Sequence, residues 1–431
     1  MTHTDYTKNI LNIEDKNIYF YDDCLEIKEI KGVKTKIFHG YLTYTPEYCP
    51  NCECINESFD DIIKWNWKRN CKIKVTKACG FNTLLFLDKQ RFFCKHCNKT
   101  FTATTNFVDF HKQISNDTNL NIKLELMQKG SEKDIAKRNN VSPKHVNIIM
   151  DQIAKDTLIK GNGKLPEIMG IDEFNATKDT ISKLAFIIVD QTKHNIFDIN
   201  NSRLSLDIEK YFKRYSKDER DKVKFITMDL YKPYYTLMQK LFKNAILISD
   251  RFHIALQIRN ALDNTRVKLC TKSNPNYKKL KKYWKLILKS EEELDDKNKK
   301  YNKHFQKEMT QKDIVTYLIN TDTVLYNDYQ IYQGILKSID KRDKIAYLNI
   351  VNNNIHSNNI SSKMKKALKT FSNMEKYILN AFDYEYSNGM VEGTNNVIKQ
   401  IKHAACGYKK FSHLKARVML IKGLYNPIKQ N

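Results

Sequence analysis

Glycine and proline are scarce in this chain, which has only 12 glycines and 7 prolines among 431 residues. So few glycines leave little room for a glycine-rich dinucleotide or phosphate loop, and no such fingerprint and no Ser-His-Asp grouping occurs. Long apolar runs are also missing, since stretches such as Leu184–Val189 are far too short to span a bilayer. The first thirty residues carry several acids and no apolar signal segment. We therefore expect a cytoplasmic protein without a membrane partner.

The charge of the chain is strongly positive, with 74 lysines and arginines against 49 acids and a formal net charge of +25. Such an excess opposes compactness by self-repulsion and most simply indicates a polyanionic partner, nucleic acid first. Drift in base composition would also raise the lysine count, because Lys, Asn and Ile are abundant throughout. An acidic membrane surface would attract the same charge, but no basic amphipathic helix stands out as an anchor for it. Drift in base composition stays open as the alternative to nucleic-acid binding.

The cysteine pattern predicts a metal site. A chain of this length divides into roughly two to four domains. Eight of its ten cysteines lie before residue 100, and this clustering favours metal binding over disulfides in a reducing compartment. Two Cys-x-x-Cys pairs can close a tetrahedral zinc site with four thiolates: Cys49, Cys52, Cys94 and Cys97. Residues 1–110 are thus predicted to form a β-rich lead-in and a zinc ribbon.

Alternatives to this zinc ligand set stay open. The gap between the two pairs is longer than usual for a zinc ribbon, so Ile73–Phe93 is expected to contribute strands. Cys54, Cys71 and Cys79 are each either spare thiols or replacements for one of the four ligands. A redox role for one pair is the remaining alternative.

Residues 111–160 carry a helical period and predict a helix-turn-helix. Helices are expected on either side of Gly130, and a third begins at Pro143 behind the cap residue Ser142. In the major groove this third helix would present the side chains Lys144, His145 and Asn147. A plain helical scaffold is the alternative. The run Gly161-Asn162-Gly163 is predicted to link this segment to the next domain.

Residues 164–270 show several short apolar runs, and three of these end on an acid. The run from Ile168 ends at Asp172, a later one ends at Asp229, and a third ends at Asp250. The element order β-β-β-α-β-α-β-α is that of a ribonuclease-H-like α/β fold, in which the first and fourth strands are neighbours. This order would bring Asp172 and Asp229 together, although a lone Asp after a strand is more often a turn former or helix cap.

Residues 271–380 are predicted to be an all-helical insertion, and residues 381–431 return to the core. Asn388 is a natural cap for a helix that carries Glu392 near its start. On this helix Val391, Ile398, Ile401 and Ala405 share an apolar face, and an adjacent face carries Glu392, Asn396, Lys399 and His403. A favourable charge in a first helical turn would account for the Glu but not for its row of polar neighbours.

The three carboxylates suggest phosphodiester chemistry. Asp172, Asp229 and Glu392 from separate segments can hold two divalent cations about 4 Å apart, one at the attacking hydroxyl and one at the leaving oxygen. Hard oxygen ligands suit Mg²⁺ or Mn²⁺. Five motifs follow one another along the chain: Cys49-Pro50-x-Cys52 with Cys94-x-x-Cys97; Gly170-Ile171-Asp172-Glu173-Phe174; Met228-Asp229-x-Tyr231-x-Pro233-Tyr234; Asn244-Ala245 to Asp250-Arg251-Phe252-His253; and Asn388-Gly389-x-Val391-Glu392-Gly393-x-Asn395-Asn396 with Lys399 and Gly407-Tyr408.

In these motifs the chain resembles the DDE transposases of bacterial insertion sequences, specifically the ISL-three group, from Cys49 to Leu424. The resemblance implies that Asp172, Asp229 and Glu392 bind the catalytic metals. It also implies that the zinc ribbon and helix-turn-helix bind the terminal inverted repeats. Strand cleavage by water would precede attack of the freed 3′ hydroxyl on target DNA. Lys399, Lys402 and His403 would contact DNA, and a homo-oligomer associated with the nucleoid is expected.

The chain departs from the family pattern in two places. The basic residues that often follow the first Asp are replaced here by Asn175-Ala176-Thr177, with only Lys178, and His403 stands where Arg is frequent. Asp250 is a rival metal ligand unless Arg251 pairs with it. Two other functions stay open. One is a transposase-derived DNA-binding protein without catalysis, and the other is a ribonuclease H or resolvase-like nuclease.

Overall fold

The computed structural model describes residues 2–58, 60–159 and 164–428. Two compact units divide the chain. The first, called the terminal unit here, comprises Met1–Gly161 and Ile398–Asn431; the second, the central unit, comprises Asn162–Val397. The predicted linker Gly161-Asn162-Gly163 lies outside the described residues. None of the helices in the described residues combines the length and the apolar character that crossing a bilayer requires.

A mixed β-sheet forms the first part of the terminal unit. Its elements are α1 His3–Leu11, β1 Ile18–Ile30, β2 Val33–Leu42, β3 Ile62–Ala78, β4 Phe81–Cys94 and β5 Lys99–Thr102. The strand order is β1-β2-β4-β3, and β5 pairs with β4. β1 and β2 meet at the two-residue turn Lys31-Gly32, and β3 and β4 meet at Cys79-Gly80. All four of these turn residues have positive φ, as a type I′ hairpin requires.

The structure has a helix, α1, at the start of the segment predicted to be β-rich. The prediction is therefore wrong for these first residues. Thr2 and Asp5 form a capping box that begins the helix, and the Oγ1 atom of Thr2 accepts a hydrogen bond from the Asp5 amide at 3.2 Å. Leu11 and Ile13 enter the same buried cluster as the strand residue Ile18. The helix is short and has few apolar residues, so its periodicity is weak in the sequence.

Four helices pack together as the second part of the terminal unit: α2 Asn116–Leu126, α3 Glu132–Arg138, α4 Pro143–Ile159 and, from the far end of the chain, α17 Phe411–Ile421. Ser115 and Ser131 cap α2 and α3 with their hydroxyls. Their buried residues form one cluster to which α17 adds Ala416 and Leu420. Arg417 is fully buried and donates to the backbone carbonyls of Gln128 and Gly130 at 3.0 and 2.8 Å.

The central unit contains a five-stranded sheet in the order β10-β9-β6-β7-β8. β6 pairs antiparallel with β7 and parallel with β9, and β10 pairs parallel with β9. Helices α5 to α8 alternate with the later strands along the chain. Their apolar side chains and those of the sheet form one buried core. The elements are β6 Ile168–Asn175, β7 Leu184–Asp190, β8 Asn195–Asn200, α5 Ser205–Lys213, α6 Lys217–Asp221, β9 Phe225–Met228, α7 Lys232–Leu241, β10 Ile246–Ser249 and α8 Arg251–Leu269.

The segment after α8 is mostly helical, but it also contains a two-stranded hairpin. The prediction of an all-helical insertion is therefore wrong at this point. Its strands carry mainly lysine and other polar residues, so they lack the apolar alternation by which a strand is recognised. The elements are α9 Tyr277–Lys282, α10 Trp284–Ile287, a 3₁₀ turn Glu291–Glu293, β11 Lys300–Asn302, β12 Lys307–Met309, α11 Gln311–Ile319, α12 Thr323–Asp340, α13 Lys344–Asn354, α14 Ser362–Asn373, α15 Glu375–Asp383 and α16 Gly389–Ala404.

Helix α16 crosses the boundary between the two units, which falls after Val397. Its predicted apolar face is buried at Val391, Ile398 and Ile401, whereas Ala405 lies beyond the end of the helix and is only half-buried. Glu392 and Asn395 therefore belong to the central unit, and Lys399, Lys402 and His403 belong to the terminal unit.

Candidate active site

The sheet register of the central unit places two acids side by side. Gly170 of β6 is paired with Thr227 of β9, and the two strands are parallel. Asp172 and Asp229 each lie two residues beyond this pair, so both emerge at the same edge of the sheet. Asp250 directly follows the neighbouring parallel strand β10 and begins α8. Carboxyl ends of parallel strands are where open α/β sheets place their ligand sites.

His253 joins these acids to α16. One ligand atom each from Asp229, Asp250 and His253 lies within 4.8 Å of the others. The Nε2 atom of His253 is 3.1 Å from Oδ1 of Asp229 and 3.6 Å from Oε1 of Glu392. The ends of β9 and β10 and the first turns of α8 and α16 thus converge on one group of oxygen and nitrogen atoms.

Asp172 is held by two donors. Its Oδ1 accepts the backbone amide of Glu173 at 2.7 Å, and its Oδ2 accepts the Nδ2 amide of Asn395 at 2.7 Å. Asn395 lies three residues after Glu392, so the two side chains share one face of α16. That face therefore carries both the Glu392 carboxylate and the amide that binds Asp172. The neighbouring Glu173 is engaged elsewhere, because Arg203 donates to its Oε2 at 3.0 Å and the Tyr234 hydroxyl donates to its Oε1.

The environment favours protonation of both central acids in the absence of a cation. Burial, followed by the charge of Asp229, raises the pKa of Asp172 to about 7. Burial, followed by the charge of Asp250, raises the pKa of Asp229 to about 7. Asp250 itself is only 2% exposed, and its Oδ2 atom has no hydrogen-bond donor among the described residues. A crowded set of carboxylates with an unsatisfied buried oxygen fits a hard divalent cation.

A glycine lets α16 approach the sheet closely enough to bring Glu392 to the strand ends. A Cβ atom on Gly170 would lie 2.5 Å from Cγ2 of Val391 and 2.8 Å from Nε2 of Gln191. Asn388, just before α16, is predicted as a cap, and its side chain also ties the helix to the sheet. It accepts from the Thr227 hydroxyl at 3.1 Å and donates to the Ile171 carbonyl at 3.2 Å.

Arg251 does not pair with Asp250, as one alternative had it. Arg251 donates to the backbone carbonyl of Glu385 at 3.4 Å, whereas Asp250 accepts the backbone amide of Asn388 at 3.2 Å. Asp250 is therefore a buried acid of the site beside the three predicted ones. Two further polar residues of the site, His253 and Asn395, stand in the motifs quoted from the sequence, but no role is predicted for either of them. Their spacing is the available signal, because each lies three residues after an acid on the same helix or at its start.

Four cysteines of the terminal unit form a second candidate metal centre. The Sγ atoms of Cys49, Cys52, Cys94 and Cys97 lie within 4.8 Å of one another, a set that can hold zinc. The other cysteines named as rivals are used otherwise: Cys71 donates to the Lys68 carbonyl and Cys79 occupies the hairpin turn. Cys54 lies outside the four-cysteine group.

The residues predicted to read DNA from α4 differ in exposure. Lys144 is exposed, but His145 and Asn147 are half-buried. His145 makes a hydrogen bond of 2.7 Å through Nε2 with Oδ1 of Asn119, because α2 packs beside the first turn of α4. The expectation that all three side chains project freely from this helix is therefore wrong. On α16, Lys399 and His403 are exposed and Lys402 is half-buried.

Comparison with known proteins defines the class. Residues 169–418, more than half of the chain, match the model of the DDE family of the ISL-three group, described as transposase. The chain belongs to this transposase family, and the match includes Asp172, Asp229, Asp250 and Glu392. A protein of Lactococcus lactis subsp. lactis, named ATP-dependent protease, is 33% identical over 129 residues, or 29% of this chain. The aligned part spans 41% of that relative's length.

Proposed function

We propose that the protein is a DNA transposase that binds the terminal inverted repeats of an insertion sequence and carries out metal-dependent strand cleavage and strand transfer. Membership of the transposase family supports the class of reaction. The observation that carries the chemistry is the convergence of Asp172, Asp229 and Glu392, through His253 and Asn395, just beyond the last paired residues of β6 and β9.

The proposed domain plan keeps the predicted boundaries, except that Ile398–Asn431 belong to the terminal unit. Residues 164–270 and 381–397 make a ribonuclease-H-like catalytic core, and residues 271–380 are its insertion. The strand order β10-β9-β6-β7-β8, with three antiparallel strands followed by two parallel ones, supports this fold. Residues 1–110 would hold the zinc ribbon and residues 111–160 a DNA-binding helix-turn-helix, which the cysteine cluster and the helices α2 to α4 support.

Asp172, Asp229 and Glu392 would hold Mg²⁺ or Mn²⁺, with Asp250 as an additional ligand. When bound, these cations activate the attacking oxygen and stabilise the leaving oxygen of a phosphodiester. The chain's own residues hold the carboxylates in place for this purpose. Asn395 fixes the orientation of Asp172, and His253 lies between Asp229 and Glu392.

Double-stranded DNA is the proposed partner, as terminal repeats and as target. Lys144, His145 and Asn147 of α4 and Lys399, Lys402 and His403 of α16 are the proposed contacts, and the net charge of +25 supports a polyanionic ligand. Joining two transposon ends calls for at least two copies of the chain, so a homo-oligomer on DNA in the bacterial cytoplasm, associated with the nucleoid, is part of the proposal.

Cleavage of a labelled duplex carrying the element's own end tests this function. The native protein is expected to cut in Mg²⁺ or Mn²⁺ and to join the freed 3′ end to a second duplex. Asp229→Ala should abolish both reactions while end binding persists. Asp296→Ala, which removes an exposed acid of the same unit, should leave them intact. End binding without cleavage by the native protein in either metal would contradict the enzyme and favour a transposase-derived DNA-binding protein.

A further inference from the structure

A cavity of about 920 Å³ lies within the terminal unit between the strand β3 and the helices α2 and α4. Lys72 and Lys74 of β3 form one wall, and the loop that contains His111 and Lys112 forms one end. The opposite side is made by α2 and α4, including His145 and Ile148. The sheet and the helices therefore build this cavity jointly.

Hydrogen bonds fix the walls of the cavity relative to one another. Lys74 donates its backbone amide to the Gln113 carbonyl at 2.8 Å, and its own carbonyl accepts the Ser115 amide at 2.9 Å. Its ammonium donates to the Asn140 carbonyl, in the turn before α4, at 2.7 Å. The bond between His145 and Asn119 joins α4 to α2 across the cavity. The site is thus formed before any ligand arrives, which lowers the entropy cost of binding.

The cavity lining is strongly basic. Four lysines and two histidines face one carboxylate, Asp109: Lys72, Lys74, Lys112, Lys123, His111 and His145. In the part of the chain that the structure describes, none of these four lysines forms an ion pair with an acid. The positive charge of the cavity is consequently not neutralised by the protein itself.

Burial and the neighbouring cations lower the pKa values of two residues of the cavity. Burial, followed by the charge of Lys72, lowers the pKa of Lys74. Burial, followed by the charges of Lys112 and Lys74, lowers the pKa of His145. An anion in the cavity would relieve this repulsion, since it favours the charged form of each group.

We propose that this cavity binds the sugar-phosphate backbone of duplex DNA. The inference deepens the proposed DNA-binding function, on which it rests. The reason to expect a phosphodiester is the excess of cations in a cavity that is lined in part by α4, the helix proposed to contact DNA. Ile148, which is 52% exposed, offers an apolar contact for deoxyribose. Contacts of this kind position a duplex and carry no direct sequence information.

The test measures how DNA binding depends on salt, using fluorescence anisotropy with two duplexes, the element's own end and one of unrelated sequence. The variant Lys72→Ala/Lys112→Ala removes two exposed lysines of the cavity and spares Lys74, which holds the wall. The matched control Lys16→Ala/Lys34→Ala removes two exposed lysines of the same unit outside the cavity. Zinc content and thermal unfolding of both variants verify the fold.

The cavity variant is expected to bind both duplexes more weakly by a similar factor. The slope of log K against log salt should fall by about one for each lysine removed, whereas the control should match the native protein. Equal affinity and slope for the native protein and the folded cavity variant would overturn this inference and leave the proposed function standing. Failure of the native protein to bind either duplex would overturn both.

Discussion

His253, in the first turn of α8, places its Nε2 atom 3.1 Å from Oδ1 of Asp229. The same atom lies 3.6 Å from Oε1 of Glu392, so the histidine links two carboxylates that come from different elements. Replacement by alanine would let these carboxylates move apart. We expect His253→Ala to slow single-turnover cleavage by about 10- to 100-fold, the range typical of residues that orient metal ligands.

The control for this variant is Asn260→Ala, which removes an exposed side chain from the same helix. Cleavage should then stay close to the native rate. A positioning role further implies that excess Mn²⁺ partly restores His253→Ala, because weakened metal affinity can be overcome by concentration. An unchanged rate for His253→Ala in limiting Mg²⁺ would contradict the role.

Proton release is expected when a divalent cation binds to the central unit. Asp172 and Asp229 each have a pKa raised to about 7, so both retain substantial protonation near neutrality without metal. Cations bind the ionised carboxylates, so the affinity for Mg²⁺ should rise with pH between about 6 and 8 and level off above that range. Titration calorimetry in two buffers of different ionisation enthalpy measures the protons released. A pH-independent Kd without proton release would contradict the raised pKa values.

The same shifts fix the sign of a stability change in the metal-free protein. A carboxyl whose folded-state pKa is raised binds more protons when folded than when unfolded between about pH 4 and 7. Its contribution to the free energy of unfolding therefore falls as pH rises through this window. Asp229→Asn should flatten part of this dependence in denaturant unfolding, and an equally steep profile would count against it.

Gly170 is expected to tolerate no side chain. Gly170→Ala places a methyl group against Val391 and Gln191, which should cost about 1–3 kcal/mol of unfolding free energy and displace α16. Gly393→Ala is the control on that helix, because its Cβ would meet nothing within 4 Å. It should be neutral or stabilising by about 0.5–1 kcal/mol. Chemical denaturation measures both, and equal stabilities would show that the close approach is unimportant.

The four-cysteine group is expected to bind one zinc ion per chain. Cys94→Ser should lose the metal and destabilise the sheet. The reason is that Cys94 is the last residue of β4 and is fully buried in the hydrophobic cluster of this sheet. Cys79→Ser changes an exposed turn cysteine and should retain the zinc. Metal analysis and chelator-induced unfolding of the two variants provide the comparison. A Cys94→Ser protein with a full zinc complement would refute the ligand assignment.

The elements that are predictable from sequence are those with strong local patterns. The strand at Leu184–Asp190 and the helix start at Pro143 occur where apolar runs and cap residues predict them. Asp172 and Asp229 can be anticipated to meet, because each ends an apolar run of the sequence, although β6 continues past Asp172 to Asn175. The four-cysteine group can be predicted equally well from the sequence, because paired Cys-x-x-Cys spacing has few other uses.

Features that depend on tertiary contacts lie beyond the sequence patterns. The lysine-rich hairpin of β11 and β12 carries no apolar alternation, and α1 depends on a capping box more than on periodicity. His145 has the pattern of an exposed reader of DNA, but α2 supplies Asn119 as its partner. Likewise, Asn388 fits a helix cap locally, but its contacts to Thr227 and Ile171 come from segments more than 150 residues away.

The packing of α17 on the helices α2 to α4 has a consequence for synthesis on the ribosome. Arg417 reaches the carbonyl of Gln128 across 289 residues of sequence, and Ala416 and Leu420 complete the same core. The four-helix core therefore cannot close until α17 has been translated. A prematurely terminated product, even one that contains every residue of α2 to α4, would lack the finished module and would be a poor competitor for the DNA of the full-length protein.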